Sequence, residues 1–295
     1  MVAPVFASPR LAVKAVLVTV LALCVLSSCS DSEPQERGNV IRYVALGDST
    51  VSGPGINVSS GPCLRSDHNY PSMLAESLKI GDLVDSSCPS ATSSDVISEM
   101  HRVDGSVLPA QIDSVTADTD LVTLSVGAND DNFIPALFDC KINQKTTKSC
   151  RKLVANTTSI LDKIQQDIVK VIEAVKAKAP RAKIVMVGYL RLMPDSGTCS
   201  SVPINPIGLA EAADGEAKLE AAMRGAAKDA DVAYVGMRKP SKGHDACASK
   251  RERWVNGVTP ALGDGIVLHP NENGMKAVER TLRPVVKKLL AEEKD

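Results

Sequence analysis

Apolar and polar blocks alternate along the chain from Ile41 onward, without repeats. Tyr43 to Leu46 is a short apolar run that ends at Gly47-Asp48-Ser49, and Gly53-Pro54-Gly55 then punctuates a loop. Runs of this length bounded by turn residues predict buried strands. Leu121 to Val126, LVTLSV, predicts a strand covered on both faces because it carries almost no polar residue. Further strands are expected over Lys183–Gly188 and Val232–Val235, and a weaker one over Leu83–Asp85. Leu161, Ile164, Ile168, Ile172 and Val175 recur at three- and four-residue steps, so Leu153 to Ala179 predicts a helix that Pro180 stops. Shorter helices are expected over Tyr70–Lys79, Ser93–Met100 and the Ala-rich Glu211–Ala230. Asn271 or Asn273 can cap a last helix reaching Leu290, with Pro284 as a kink. Segments 50–69, 131–150 and 194–208 read as loops. Strands alternating with helices argue for an α/β fold, a parallel sheet with helices on both faces. No linker divides residues 41–295, which predicts one domain.

Composition narrows the classes. The 295 residues are 44% hydrophobic, enough for a substantial core. The net charge of −1 is spread in mixed sign, so no basic run suggests a nucleic-acid partner. Aromatics at 3% argue against stacking platforms. Residues 1–29 read as a processing segment. Arg10 and Lys14 precede the apolar run Ala15–Leu26, too short to span a bilayer comfortably but suited to a signal peptide. Leu26-Ser27-Ser28-Cys29 resembles a bacterial lipobox, whose cysteine becomes a lipidated N-terminus; cleavage that releases a soluble protein is the alternative. Residues 30–40 then form a polar tether. Export fits the cysteines: beyond Cys24 and Cys29, six remain, Cys63, Cys88, Cys140, Cys150, Cys199 and Cys247. An even count in an exported chain reads as a disulfide framework with fifteen connectivities open, nearest-neighbour pairing being the simplest.

Ser49 lies just past a strand's C-terminal end, where open α/β sheets place their ligand crevice. Taken alone, Gly-Asp-Ser reads first as a turn; two later stretches change that reading. A serine nucleophile needs a base, an orienting partner for that base, and donors for the developing oxyanion. Of His68, His101, His244 and His269, the last is the best base, on a loop just before a helix. Asn129, in Gly127-Ala128-Asn129-Asp130, follows its strand as Ser49 does and can aim an amide N–H into the same crevice. No His-Glu-x-x-His pair or Cys-x-x-Cys pair suggests a metal, and no cofactor is expected.

Together Gly47-Asp48-Ser49, Gly127-x-Asn129-Asp130 and His269-Pro270-Asn271 resemble, in order and spacing, the SGNH hydrolases, the GDSL lipase/esterase family. The likeness covers residues 41 to 290 and extends to the Cys88 stretch, three sequential cysteine pairs and Trp254 in RWVNG, which suggest the secreted actinobacterial esterase and lipase branch. The resemblance implies a three-layer α/β/α sandwich around a mostly five-stranded parallel sheet of flavodoxin-like type. It implies hydrolysis of small-molecule or lipid acyl esters through an acyl-enzyme, with Ser49 as nucleophile and His269 as base and then acid. The Ser49 N–H, an N–H of the second block and the Asn129 side chain would form the oxyanion hole. The α/β-hydrolase elbow Gly-x-Ser-x-Gly is absent around Ser49. Two positions depart from the family pattern. Ser90 stands where relatives carry glycine; it keeps the N–H donor but not glycine's backbone freedom. Ile266 occupies the usual place of the triad acid, so either Asp264 reaches the ring or a backbone carbonyl near Ile266 orients it. The same fold also serves envelope acyltransferases and sugar O-deacetylases. A lipoprotein that binds without turnover is a further alternative, disfavoured by the joint presence of Ser49, Asn129 and His269.

Overall fold

Strand β1 (Arg42–Gly47) is buried from Tyr43 to Gly47, and a segment so poor in polar atoms is stable only with both faces covered. The computed structural model describes residues 40–141 and 148–292. The expected signal segment, Cys29 and the tether up to residue 39 lie outside them. Strands β2 (Asp82–Asp85), β3 (Leu121–Ser125), β4 (Lys183–Val187) and β5 (Ala233–Val235) complete one sheet in the order β2-β1-β3-β4-β5. Every neighbouring pair is parallel. This is the flavodoxin-like doubly wound order, whose winding direction reverses between β1 and β3.

Side-chain alternation sorts the strand residues onto two faces. Val44, Leu46, Val122, Leu124 and Met186 pack with Ile164, Ile168 and Ile172 of helix α5 (Lys148–Lys178). Tyr43, Ala45, Leu121, Val185 and Val187 pack on the other face with Leu74 of α2 (Tyr70–Leu78) and Met275, Val278 and Leu282 of α7 (Glu272–Ala291). Each fully buried aliphatic contributes about 1.5–3 kcal/mol relative to exposure. Between them run the one-turn α1 (Ser49–Ser52), α3 (Ser93–Ile97), α4 (Phe133–Lys141) and α6 (Pro206–Asp229). The three-layer α/β/α sandwich expected from the sequence is the observed architecture.

Departures from the expected elements have local causes. Ser98 is extended at φ −139°, ending α3 early, and Met100-His101 pairs with Val107-Leu108 as an antiparallel ribbon. Helix α6 begins at Pro206, ahead of the expected Glu211, because Asn205 caps it by accepting the Gly208 N–H at 2.8 Å and Pro206 suits the first turn. Helix α4 occupies part of the stretch read as a loop. Asn271, not Asn273, caps α7, accepting the Gly274 N–H at 3.0 Å, and Pro284 sits inside that helix. Disulfides join Cys63 to Cys88 and Cys199 to Cys247; the expected Cys140–Cys150 pair involves a Cys150 side chain outside the description.

The end of β1 is the tightest point of the sheet. Gly47 has φ +147°, and a Cβ there would lie 2.3 Å from the Ser125 carbonyl oxygen and 2.5 Å from Val51 Cγ2. The buried Gln111 clamps its peptide, accepting from Gly47 N at 2.8 Å and donating to Gly47 O at 2.9 Å. Gly47→Ala is expected to cost about 3 kcal/mol or more, from combined overpacking and backbone strain, read as a lowered denaturation midpoint in urea. Stability within about 0.5 kcal/mol of the parent would contradict this account.

Candidate active site

Ser49 opens α1 because Asp48 caps that turn, its Oδ1 accepting from the Thr50 N–H and the Thr50 hydroxyl, both at 2.8 Å. The Ser49 hydroxyl lies 2.8 Å from His269 Nε2, across 220 residues of chain. His269 Nδ1 lies 2.7 Å from the Val267 carbonyl oxygen. A carbonyl only accepts, so Nδ1 carries the proton of the neutral ring, Nε2 is left as acceptor, and the Ser49 hydroxyl donates to it. Leu268, at φ +54°, makes the turn in which the His269 N–H donates to Ile266 O at 3.3 Å.

Asp264 does not hydrogen-bond the imidazole. Its backbone carbonyl accepts from Asn256 Nδ2 at 2.6 Å, and its carboxylate faces the Glu272 N–H at 3.5 Å. Of the two sequence expectations for orienting His269, the structure brings a backbone carbonyl to the ring, and it belongs to Val267, one residue after Ile266.

The expected donors sit on two loops, which a hydrogen bond from Asn129 joins. Asn129 follows β3, lines the same cavity as Ser49, and spends one amide N–H on Ala91 O at 3.0 Å; a primary amide carries a second. Ser90 occupies the third position of the Cys88–Ala91 turn, closed by Ala91 N–H to Cys88 O at 3.2 Å, with Pro89 second and Ser90 at φ +66°. That is a type II turn, which favours glycine at this position. The serine therefore keeps glycine's conformation at a strain cost. The turn is pinned to β1, since Cys88 N–H donates to Gly47 O at 3.0 Å.

Sequence reasoning missed Tyr189, although it follows β4 as Ser49 and Asn129 follow their strands. Its hydroxyl donates to Asp48 Oδ2 at 2.5 Å and accepts the Ala128 N–H at 3.2 Å, joining three strand ends. Burial pushes the Asp48 carboxyl above its ordinary value, while the bonds from Tyr189 and Thr50 oppose that rise. The other histidines lie apart. His68 pairs with Glu272 at 3.4 Å, His244 stacks on Trp254 with ring centroids 4.0 Å apart, and His101 is exposed on the ribbon. Among the described residues, no three His, Cys, Asp or Glu side chains gather as a metal site.

A cavity of about 210 Å³ extends from Ser49 and His269 over the ends of β3 and β4 to α6 and Arg238. Ile134 and Phe138 of α4, Leu190, Leu192 and Leu219 make its walls mainly apolar. Glu216 on α6 belongs to the far wall and is 8% exposed. Its Oε2 accepts from Leu192 N at 3.1 Å, Met193 N at 3.5 Å and Arg238 Nη1 at 3.1 Å. Burial raises its pKa from the ordinary 4.5 to about 7, against the opposing backbone bond from Leu192 and charge of Arg238.

Comparison with known proteins agrees with this fold. The model of the family described as GDSL-like Lipase/Acylhydrolase matches residues 45–277. Lipase 2 of Streptomyces coelicolor is 30% identical over 270 residues, covering 86% of this chain and 88% of that protein. The lipase of Streptomyces rimosus is 28% identical over 247 residues, covering 79% of this chain and 81% of that one. Among solved structures, an extracellular lipase from Streptomyces rimosus superposes with a TM-score of 0.69 at 26% identity, covering 85% of this chain and all of the other. Phospholipase A1 from Streptomyces albidoflavus shares the fold, with a TM-score of 0.68 at 24% identity over 84% of this chain and 99% of that one.

Two measurements test the local readings. Ser90→Gly removes left-handed strain of about 1–2 kcal/mol but adds unfolded-state entropy of about 0.4–1 kcal/mol; a net gain of about 0.5 kcal/mol in thermal unfolding is expected, and a loss of stability would contradict the turn assignment. A carboxyl with a raised folded pKa favours the folded state most below its unfolded value, here 4.5, and that contribution disappears as the pH rises through about 7. Glu216→Gln cannot charge, so its melting temperature relative to wild type should rise across that window, by at most about 3 kcal/mol in stability. A difference that does not change with pH would show that Glu216 does not titrate as described.

Proposed function

Because the chain belongs to the GDSL-like lipase/acylhydrolase family and is a hydrolase of ester bonds, we propose that it works as an exported serine esterase or lipase through a Ser49–His269 dyad. The observation that carries this reading is the Ser49–His269 contact of 2.8 Å inside an apolar cavity, with the imidazole already in the base tautomer.

Ser49 Oγ attacks the acyl carbonyl as its proton passes to His269 Nε2. The imidazolium so formed donates to Val267 O, whose dipole supplies less stabilisation than a carboxylate would. Negative charge gathers on the carbonyl oxygen, where the N–H groups of Ser49 and Ser90 and the Asn129 amide act as donors. His269 then returns the proton to the leaving alcohol, and water, deprotonated by the same nitrogen, releases the acid and restores Ser49. The apolar walls accept the hydrocarbon part of the ester and lower the local dielectric, which strengthens each dipole. The extracellular lipase named above and the disulfides support export, and Cys29 is the proposed site of lipid attachment.

Hydrolysis of p-nitrophenyl esters from acetate to palmitate by the disulfide-intact protein tests the reading. Ser49→Ala should abolish turnover, and Asn129→Ala should lower kcat about a hundred- to a thousand-fold. Asp264→Ala should stay within a few-fold of wild type; a loss on the order of a thousand-fold would restore the triad. No turnover on any ester, with the fold intact, would move the assignment to a dedicated acyltransferase or a binding lipoprotein.

A further inference from the structure

The rim of the cavity carries apolar side chains that the fold leaves in water. Val58 is 64% exposed, Ile266 38% and Val267 44%, and Leu262 is fully exposed. They belong to two segments paired in antiparallel sense. Asn57 N–H donates to Gly263 O at 2.8 Å and Gly265 N–H to Gly55 O at 2.9 Å, on either side of the Ile56–Asp264 bridge. That register carries Val58 toward Leu262, and a Cβ on Gly55 would lie 3.1 Å from Ile266 Cγ2. Asn256 Nδ2 ties the same strip down through Asp264 O at 2.6 Å. The exposed residues thus sit on a braced rim. Val267 joins that rim to the chemistry: it lines the cavity beside Ser49, and its carbonyl orients His269.

We propose that Val58, Leu262, Ile266 and Val267 form a docking surface for an uncharged lipid–water interface, from which ester enters the cavity. The inference rests on the esterase reading and adds the physical state of its substrate. Exposed apolar surface gathered in one place marks an interaction site, and three observations select the occupant. The patch is continuous with the mainly apolar cavity through Val267 and Leu268. An ester whose hydrocarbon part fills such a cavity is itself driven out of water and collects at interfaces. Charge is nearly absent: segments 53–60 and 258–270 contain one acid, Asp264, and no lysine or arginine. Asn57 donates to Asp67 Oδ1 at 3.2 Å, so the charge bordering the patch there is acidic and does not attract an anionic surface. Finally, four aliphatic side chains fall well short of the roughly 800 Å² per partner that a stable dimer buries, which disfavours a second copy.

Tributyrin tests this, because it is dissolved below its solubility limit and forms droplets above it. Acid release is compared for wild type and a double variant, Val58→Ser with Leu262→Ser, two residues that do not line the cavity. All samples share one N-terminus carrying Cys29→Ser, so that no lipid on that residue contributes. The variant should match wild type on dissolved tributyrin and on p-nitrophenyl acetate. On the emulsion it should lose about tenfold or more in kcat/KM, the partition that burial of a leucine supplies. Depletion of the protein by droplets should fall in step, and high salt should weaken neither effect. Equal rates on the emulsion, or an equal loss on dissolved and emulsified ester, would overturn the proposal. So would a wild-type dimer in sedimentation that the variant splits, which would give the patch to a second copy. A wild type without acetate turnover whose droplet binding the variant still loses would support the surface and remove the esterase reading beneath it.

Discussion

Gly47 has no room for a side chain, and the placement of the site follows from that crowding. A Cβ on it would lie 2.3 Å from the Ser125 carbonyl oxygen, at the point where β1 pairs with β3 and the winding of the sheet reverses. The buried Gln111 holds both polar groups of its peptide, and Cys88 donates to the same carbonyl. Asp48 N–H donates to Ser125 O at 3.1 Å. Within two residues the chain is then tied to β3, to the Cys88 turn and to α1. Ser49 and Asn129 face one cavity because their strands cannot separate here.

The site relies on backbone dipoles where related chemistry often uses a carboxylate. Val267 O orients His269, and Asp264, five residues upstream of it, is turned away toward the start of α7. A carbonyl sets a tautomer only when its peptide plane is held, and here the turn runs through Leu268 in the left-handed region. That region costs a side-chain-bearing residue about 1–2 kcal/mol. The neighbouring ladder offsets it: Asn256 N–H donates to His269 O at 2.9 Å, and Asn271 N–H to Trp254 O at 2.9 Å. Trp254 thus supports the histidine loop through its backbone, while its ring stacks on His244.

The strands were legible because burial on both faces removes polar residues from them, and the long helix because its isoleucines recur at the helical period. Ser49, Asn129 and His269 were legible because each follows or precedes an element end with a recognisable turn. Tyr189 sits at an equivalent strand end but within a run, Tyr189-Leu190-Arg191-Leu192, that carries no turn signal. Gln111 and Glu216 were opaque for another reason. Their partners lie at separations of 64 residues (Gly47) and of 22 to 24 residues (Arg238, Leu192), and no local pattern announces a long-range polar contact. The α4 stretch read as a loop because Pro135 and the polar residues around it hid Phe133, Ala136 and Leu137, which the core buries.

Ser90 and Leu268 are both non-glycine residues in left-handed backbone, and they belong to the Cys88–Ala91 turn and the histidine turn respectively. Strain of this kind persists only where the surroundings over-determine it. For Ser90 the surroundings are covalent as well as packed: Cys88, the first residue of its turn, is bonded to Cys63 and its N–H is held by Gly47. The disulfide thus acts on the folded turn itself and not only on the unfolded chain. A loop pinned in this way can hold a backbone N–H in place without a glycine, which is the geometry that the proposed role of Ser90 as a donor needs.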